Sequence, residues 1–237
     1  FSVKLPLAVT RTDASGSFTL KDVPAGTDFP IVMQIGKWRR KVTIPKIEKC
    51  QTAGVTDAQT TRLPRNRAEG DMPRIALSTG SADPLECLLR KIGIDDSEFG
   101  VGGSESRVHL FAGGSTAPAT ATSTLQAGGS FGQATALWQS EATLKPYDIV
   151  MLSCEGGENP ATKPEDSRKA LYEYAKKGGR VFTSHFHHYW FSNSPVPEVK
   201  GLATWTNDFT CVGPSCGSAV TAHNTRCVSS KMRISRH

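Results

Sequence analysis

The chain has 237 residues, a formal charge of +6 and 38% apolar residues, enough to bury a core as one large or two small domains. No apolar run reaches the roughly 18 residues of a membrane-spanning helix, so no membrane span is expected. The basic residues form short clusters at Lys37–Lys41, Arg62–Arg67 and Lys231–His237. Nucleic-acid binding calls for a longer basic face with interleaved aromatics and a recognisable module, so these clusters read as solvated surface and no nucleic-acid partner is expected.

The chain opens at Phe1 rather than Met, which reads as a processed product or a fragment. Residues 1–48 alternate short β-rich runs with turn signals at Ala14-Ser15-Gly16, Pro24-Ala25-Gly26 and Gly36-Lys37. Phe18 and Leu20 fall on one side of a strand, as do Val42 and Ile44. The stretch DASGSFTLKDVPAGT is similar to the closing strands of carboxypeptidase-regulatory-like β-sandwich modules. That resemblance implies a partial sandwich lacking its first strands, with a structural or interaction role. Residues 49–73 are polar, with little apolar periodicity, and read as a linker.

Residues 74–207 repeat a strand–helix rhythm. Arg74–Thr79 is the first strand; Asp83-Pro84 caps a helix with Leu85, Leu88, Leu89 and Ile92 on one face, stopped by Gly93. Arg107–Ala112 is the second strand. Residues 113–129 form a Gly/Ala/Ser/Thr-rich loop, and Ala134–Ser140 is a short helical piece. Tyr147–Ser153 reads as a buried parallel strand. Thr162 and Glu165 make a capping box for a helix carrying Ala170, Leu171, Tyr174 and Ala175, which ends at Gly178-Gly179. Arg180–Thr183 is the next strand. This alternation predicts an α/β domain with a mostly parallel sheet flanked by helices.

Tyr147-Asp148-Ile149-Val150, Tyr174–Val181 and His185 carry a second resemblance, to the flavodoxin-like sheet of class I glutamine-amidotransferase-like proteins, closest to their trehalose-utilisation-protein-like branch. It covers the α/β half of the chain. Those enzymes place a nucleophilic Cys at a sharp strand-to-helix turn. Here that position is Ser184-His185, so glutaminase activity does not carry over.

Parallel strands open their C-terminal ends on one edge, where ligands of such sheets bind. That edge is predicted to gather Ser153-Cys154-Glu155 and Ser184-His185-Phe186-His187-His188. Cys154 could serve as a nucleophile activated by His185 with Glu155, or be a small buried residue or disulfide partner. Glu155 and Glu158 could orient a His, bind a cation or be exposed loop acids. On an extended chain His185 and His187 point the same way, so they could hold one divalent metal ion, zinc or calcium, with Glu155 or Asp208 as third ligand. The alternative is a wet aromatic cluster with Tyr189, Trp190 and Phe191. His109 reads as a packed core residue.

Residues 208–237 form a Cys-rich irregular tail. Cys211, Cys216 and Cys227, of six cysteines in all, lie in a Gly/Ser/Pro-rich setting suited to disulfides. This points to an oxidising compartment, extracellular or in the periplasm or cell envelope. Zinc fits the tail less well, because Cys211-x4-Cys216 is wider than the usual pair and His223 and Cys227 do not complete a second one. Two functions are expected to compete: a hydrolase of a small ester, lactone or amide, and a non-catalytic module that binds a glycan or a protein.

Overall fold

The computed structural model describes residues 6–113, 125 and 130–205. Asp208 and the tail cysteines lie outside them. The chain divides into two units, 1–64 and 65–237.

The first unit is built on one antiparallel hairpin, β1 (Gly26–Ile35) and β2 (Trp38–Ile47), in a register that pairs Phe29 with Ile44 and Ile31 with Val42. Gly36, at φ +56, supplies the left-handed turn that joins them. Along β2 the alternation is as the pattern reads: Val42 is half-buried and Ile44 buried, while Lys41 and Thr43 are exposed. Phe18–Leu20, expected in a strand, joins no ladder. It follows a tight turn in which the Asp13 carboxylate accepts the backbone N–H groups of Ser15 and Ser17. Among the described residues this unit is a two-stranded sheet.

The second unit begins inside the stretch read as linker. Arg65 and Asn66 hold the Asp95 carboxylate, and the Arg67 N–H donates to Glu98 at 2.8 Å. Met72 is buried. The unit's sheet runs β4 (Phe99–Val101), β5 (Val108–Ala112), β3 (Ile75–Ser78), β7 (Ile149–Leu152), β8 (Arg180–Thr183), with β6 (Gly132–Gln133) pairing β5. Every pairing in this six-stranded sheet is parallel. β3 and β5 are buried along their whole length, as continuous apolar strands covered on both faces must be.

Among the described residues the unit also has helices α1 (Leu85–Lys91), α2 (Ala134–Trp138), α3 (Glu141–Leu144), α4 (Glu165–Lys176), α5 (Tyr189–Ser192) and α6 (Pro197–Lys200). The core joins Ala76 and Val150 of the sheet to Leu137 and Trp138 of α2, Ala170, Leu171 and Tyr174 of α4, and Trp190 of α5. Trp138 meets Trp190 edge to face at 5.2 Å.

Three local expectations change. The α1 stripe narrows to Leu89; Leu88 and Ile92 are exposed. The expected Thr162 capping box does not form. Pro160–Thr162 is a single 3-10 turn, Thr162 Oγ1 donates to the Asn159 carbonyl at 2.8 Å, and α4 starts after Pro164, whose ring holds φ at −58. The chain after β8 is also not extended: His185–His188 forms a 3-10 turn that leads into α5.

The strand order fixes where a site can form. From central β3 the chain passes to the edge strand β4, steps back to β5, pairs β6 beside it, and then crosses β3 to β7 and β8. The C-terminal ends of β3, β7 and β8 therefore lie next to one another on one edge of the sheet, the edge where parallel sheets place their ligands.

Candidate functional site

β3, β7 and β8 end side by side, and each delivers one reactive group. The β3 end carries the chain to Asp83 just before α1. Pro84 takes the N-cap position of α1 without a side-chain hydrogen bond, so the Asp83 carboxylate does not serve as the expected cap. Nδ1 of His185 lies 3.0 Å from Asp83 Oδ2. This is ion-pair distance without hydrogen-bond alignment, because Oδ2 is buried and receives no hydrogen bond. Cys154 closes the group: one ligand-type atom from each of Asp83, Cys154 and His185 lies within 4.8 Å of the others. Exposure rises outward through the trio, from 1% for Cys154 to 20% and 68% for the side chains of Asp83 and His185.

The backbone beneath is tightly held. The Ala82 N–H donates to the Cys154 carbonyl at 3.0 Å, and the Cys154 N–H donates to Ser184 Oγ at 3.2 Å. Ser81 Oγ donates to the Glu155 carbonyl at 2.8 Å. Gly80 is needed here: a Cβ at that position would stand 2.1 Å from the Cys154 carbonyl oxygen. The three strand ends are thus stitched to one another.

His185 has φ +42, a left-handed conformation rare for a residue with a Cβ. Such strain costs about 1–3 kcal/mol and persists where the surroundings impose it, commonly at functional sites. The conformation also starts the 3-10 turn, in which residues three apart share a side. His188 therefore sits over His185, its Nδ1 donating to the His185 carbonyl at 3.2 Å, and its Nε2 lies 3.2 Å from Glu158 Oε1.

His187 turns the other way, into the core. Its Nε2 donates to the Ser153 carbonyl, and its Nδ1 accepts the indole N–H of Trp190, both at 2.8 Å. Both nitrogens are engaged, so His187 offers no lone pair to a metal beside His185. Burial pushes its pKa down to about 4, with the Lys163 ammonium adding to the effect and Glu155 opposing it.

Glu155, read as a partner for His185, points instead at Lys163. Its Oε2 accepts from Lys163 Nζ at 2.7 Å and from Asn159 Nδ2 at 2.9 Å. Lys163 Nζ also donates to the Glu158 carbonyl at 2.9 Å. Both side chains are 1% exposed. Burial alone would raise the Glu155 carboxyl, but the Lys163 charge and the hydrogen bonds outweigh it and hold the pKa below the usual value. Burial likewise lowers the Lys163 ammonium, against the pull of Glu155.

The structure therefore brings Cys154 and His185 together and directs Glu155 and His187 elsewhere. Asp83 and Lys163 were missed as site residues. Asp83 stands at the β3 end, on the predicted chemistry edge, but its place before Pro84 made it look like a helix cap. Lys163 gave no periodic or motif signal.

No family model matches this chain. No curated protein and no solved structure matches it either. Function must therefore be argued from Asp83, Cys154 and His185 themselves.

Proposed function

We propose that the chain is a hydrolase of a small ester, lactone or amide that uses Cys154 as nucleophile. The observation that carries this reading is the convergence of Cys154, His185 and Asp83 at the ends of three neighbouring parallel strands. In this reading the sheet is flavodoxin-like, with β5, β3, β7 and β8 in the 2-1-3-4 order of that fold, and the trio lies at its topological switch point.

The roles follow from position. His185 takes the thiol proton, and the sulfur attacks the acyl carbon to form a thioester as the alcohol or amine leaves with that proton. Water, deprotonated by the same imidazole, then hydrolyses the thioester. Asp83 faces His185 Nδ1 at 3.0 Å and, after a small rotation of the exposed ring, orients the imidazole and balances its positive charge. Since Cys154 is 1% exposed, this reading requires the exposed His185 ring to swing aside before a small acyl group meets the sulfur. Glu155 and Lys163 hold the loop that follows the thiol and take no proton in the reaction.

One observation favours a second reading, glycan binding. The rings of Phe191 and His188 both stack on Trp205, at 6.3 and 6.2 Å. Aromatic faces of this kind suit the apolar face of a sugar.

A panel of chromogenic short-chain esters and lactones separates the two. Turnover should fall by about 100-fold or more in His185→Ala, the usual contribution of a general base, and vanish in Cys154→Ala. Turnover that survives in Cys154→Ala overturns the thiol mechanism. No turnover at all, with sugar-dependent Trp fluorescence lost in Trp205→Ala, favours the glycan reading.

A further inference from the structure

We propose that Asp83, Cys154 and His185 also form a binding site for one borderline-soft divalent cation of the zinc class, and that occupancy silences Cys154. The second half rests on the hydrolase reading above; the first half stands without it.

The donor set selects the ion. A thiolate, an imidazole and one carboxylate together suit zinc or cobalt. Magnesium and calcium want shells of oxygen, and a single carboxylate cannot supply one. The trio has the composition of a three-ligand site with an open fourth position. Its ligand atoms already lie within 4.8 Å of one another, and the His185–Asp83 edge is 3.0 Å. Adjacent ligands of a tetrahedral zinc ion stand roughly 3.3–3.7 Å apart, so a modest closure brings all three onto one ion.

Asp83 supplies an independent observation. Its Oδ2 is buried, accepts no hydrogen bond, and faces a ring nitrogen that is off the line needed to donate. Buried acceptors normally find a partner. An oxygen and a nitrogen that approach closely without sharing a proton are arranged as two ligands of one ion would be. The three residues come from the ends of β3, β7 and β8, so the frame is held by the sheet.

Binding has a defined chemistry. The thiol of Cys154 loses its proton to solvent as the sulfur–metal bond forms, so one proton is released per ion. The sulfur lone pair and the His185 nitrogen that hydrolysis requires are then both coordinated, and zinc should inhibit.

Cobalt(II) is the probe, titrated into the untagged full chain under reductant. We expect one equivalent bound, with a thiolate-to-cobalt charge-transfer band displaced by zinc. The band should be absent in Cys154→Ser and unchanged in Cys50→Ser and Cys211→Ser. Affinity should fall by about 10–100-fold or more in Asp83→Asn and in His185→Ala, since even outer-shell changes cost that much. A band that survives in Cys154→Ser, or an affinity indifferent to His185→Ala, overturns the site. His185→Ala changes an exposed side chain and keeps the test valid if Cys154→Ser fails to fold. The two readings fail separately. Cobalt bound as described by a protein without turnover removes the hydrolase and leaves the metal site. Cys154-dependent turnover that saturating zinc does not lower removes the metal proposal and leaves the hydrolase.

Discussion

The indole N–H of Trp190 donates to Nδ1 of His187 at 2.8 Å, and this bond fixes the role of that imidazole. Nε2 must carry the ring proton, because its partner, the Ser153 carbonyl, can only accept. Protonating Nδ1 would set one donor against another, in a site where burial already holds the pKa near 4. His187 is thus a neutral strut between β7 and α5. Trp190→Phe removes the donor and leaves a buried lone pair unsatisfied, for an expected loss of about 1–3 kcal/mol in urea unfolding. An unchanged midpoint would show that the bond contributes nothing.

The buried pair of Lys163 and Glu155 predicts strong non-additivity. Lys163→Met strands a carboxylate that is 1% exposed, at a cost of about 3–5 kcal/mol. Adding Glu155→Gln removes the stranded charge, so the double variant should be more stable than Lys163→Met alone. Denaturant unfolding of the full cycle checks this. Additive losses would mean that the two charges are not coupled.

The sheet was legible because it rests on period and length. Short apolar runs such as Ile149–Leu152, separated by helical stripes, admit few solutions other than a parallel sheet, and the shared edge follows from that. The meeting of Cys154 with His185 was therefore readable. Its third member was not singled out, although the β3 end lies on the same edge, because Asp83 directly before Pro84 read as the cap of α1. The His187 role was misread for a local reason. A left-handed residue at His185 turns a stretch read as extended, with a two-residue side-chain period, into a 3-10 turn with a period of three, and this sends His187 inward. Glu155 was misread because its partner, Lys163, follows a 3-10 turn at Pro160–Thr162 that no motif announces.

His109 should make folding sensitive to mild acid. Its Nε2 donates to the Ser104 and Ser106 carbonyls, and its Nδ1 accepts from the Tyr147 hydroxyl at 2.9 Å. Burial lowers its pKa, the Arg74 charge adds a little, and the two carbonyls oppose. A histidine with a depressed folded pKa contributes its full stability above the unfolded value of 6.5. That contribution fades as pH falls from 6.5 to the lower folded value, because the unfolded chain takes up the proton first. His109→Gln keeps a donor and an acceptor and cannot titrate. Between about pH 7 and 5 its stability should fall less steeply than that of the parent, by at most about 1.4 kcal/mol per pH unit for one proton. Parallel slopes in pH-dependent denaturation would contradict this.

Gly80→Ala tests how closely the β3 and β7 ends must approach. The added methyl would meet backbone, 2.1 Å from the Cys154 oxygen and 2.7 Å from its carbon, with no flexible side chain to give way. The strand ends must separate, so a loss of about 2–4 kcal/mol is expected, in the range of severe overpacking. Cobalt affinity should fall with it, because Asp83 and Cys154 move apart. A variant of parental stability and affinity would show that the contact is looser than the backbone positions imply.

His185 offers the opposite case, a substitution that should stabilise the fold while removing its chemistry. At φ +42 the histidine occupies a conformation that glycine adopts freely, and its side chain is 68% exposed, so little packing is lost on truncation. Removing the ring also frees the buried Asp83 carboxylate to take a water. His185→Gly should therefore raise stability by about 1 kcal/mol, which is the strain released, while cutting turnover by about 100-fold or more and weakening cobalt binding as His185→Ala does. His185→Ala lacks the imidazole but keeps the strained Cβ, and should lose function without that gain. Comparing the two by thermal unfolding separates strain from chemistry. If both variants are destabilised to the same degree, the imidazole is holding the strand ends together and the strain is not stored for function.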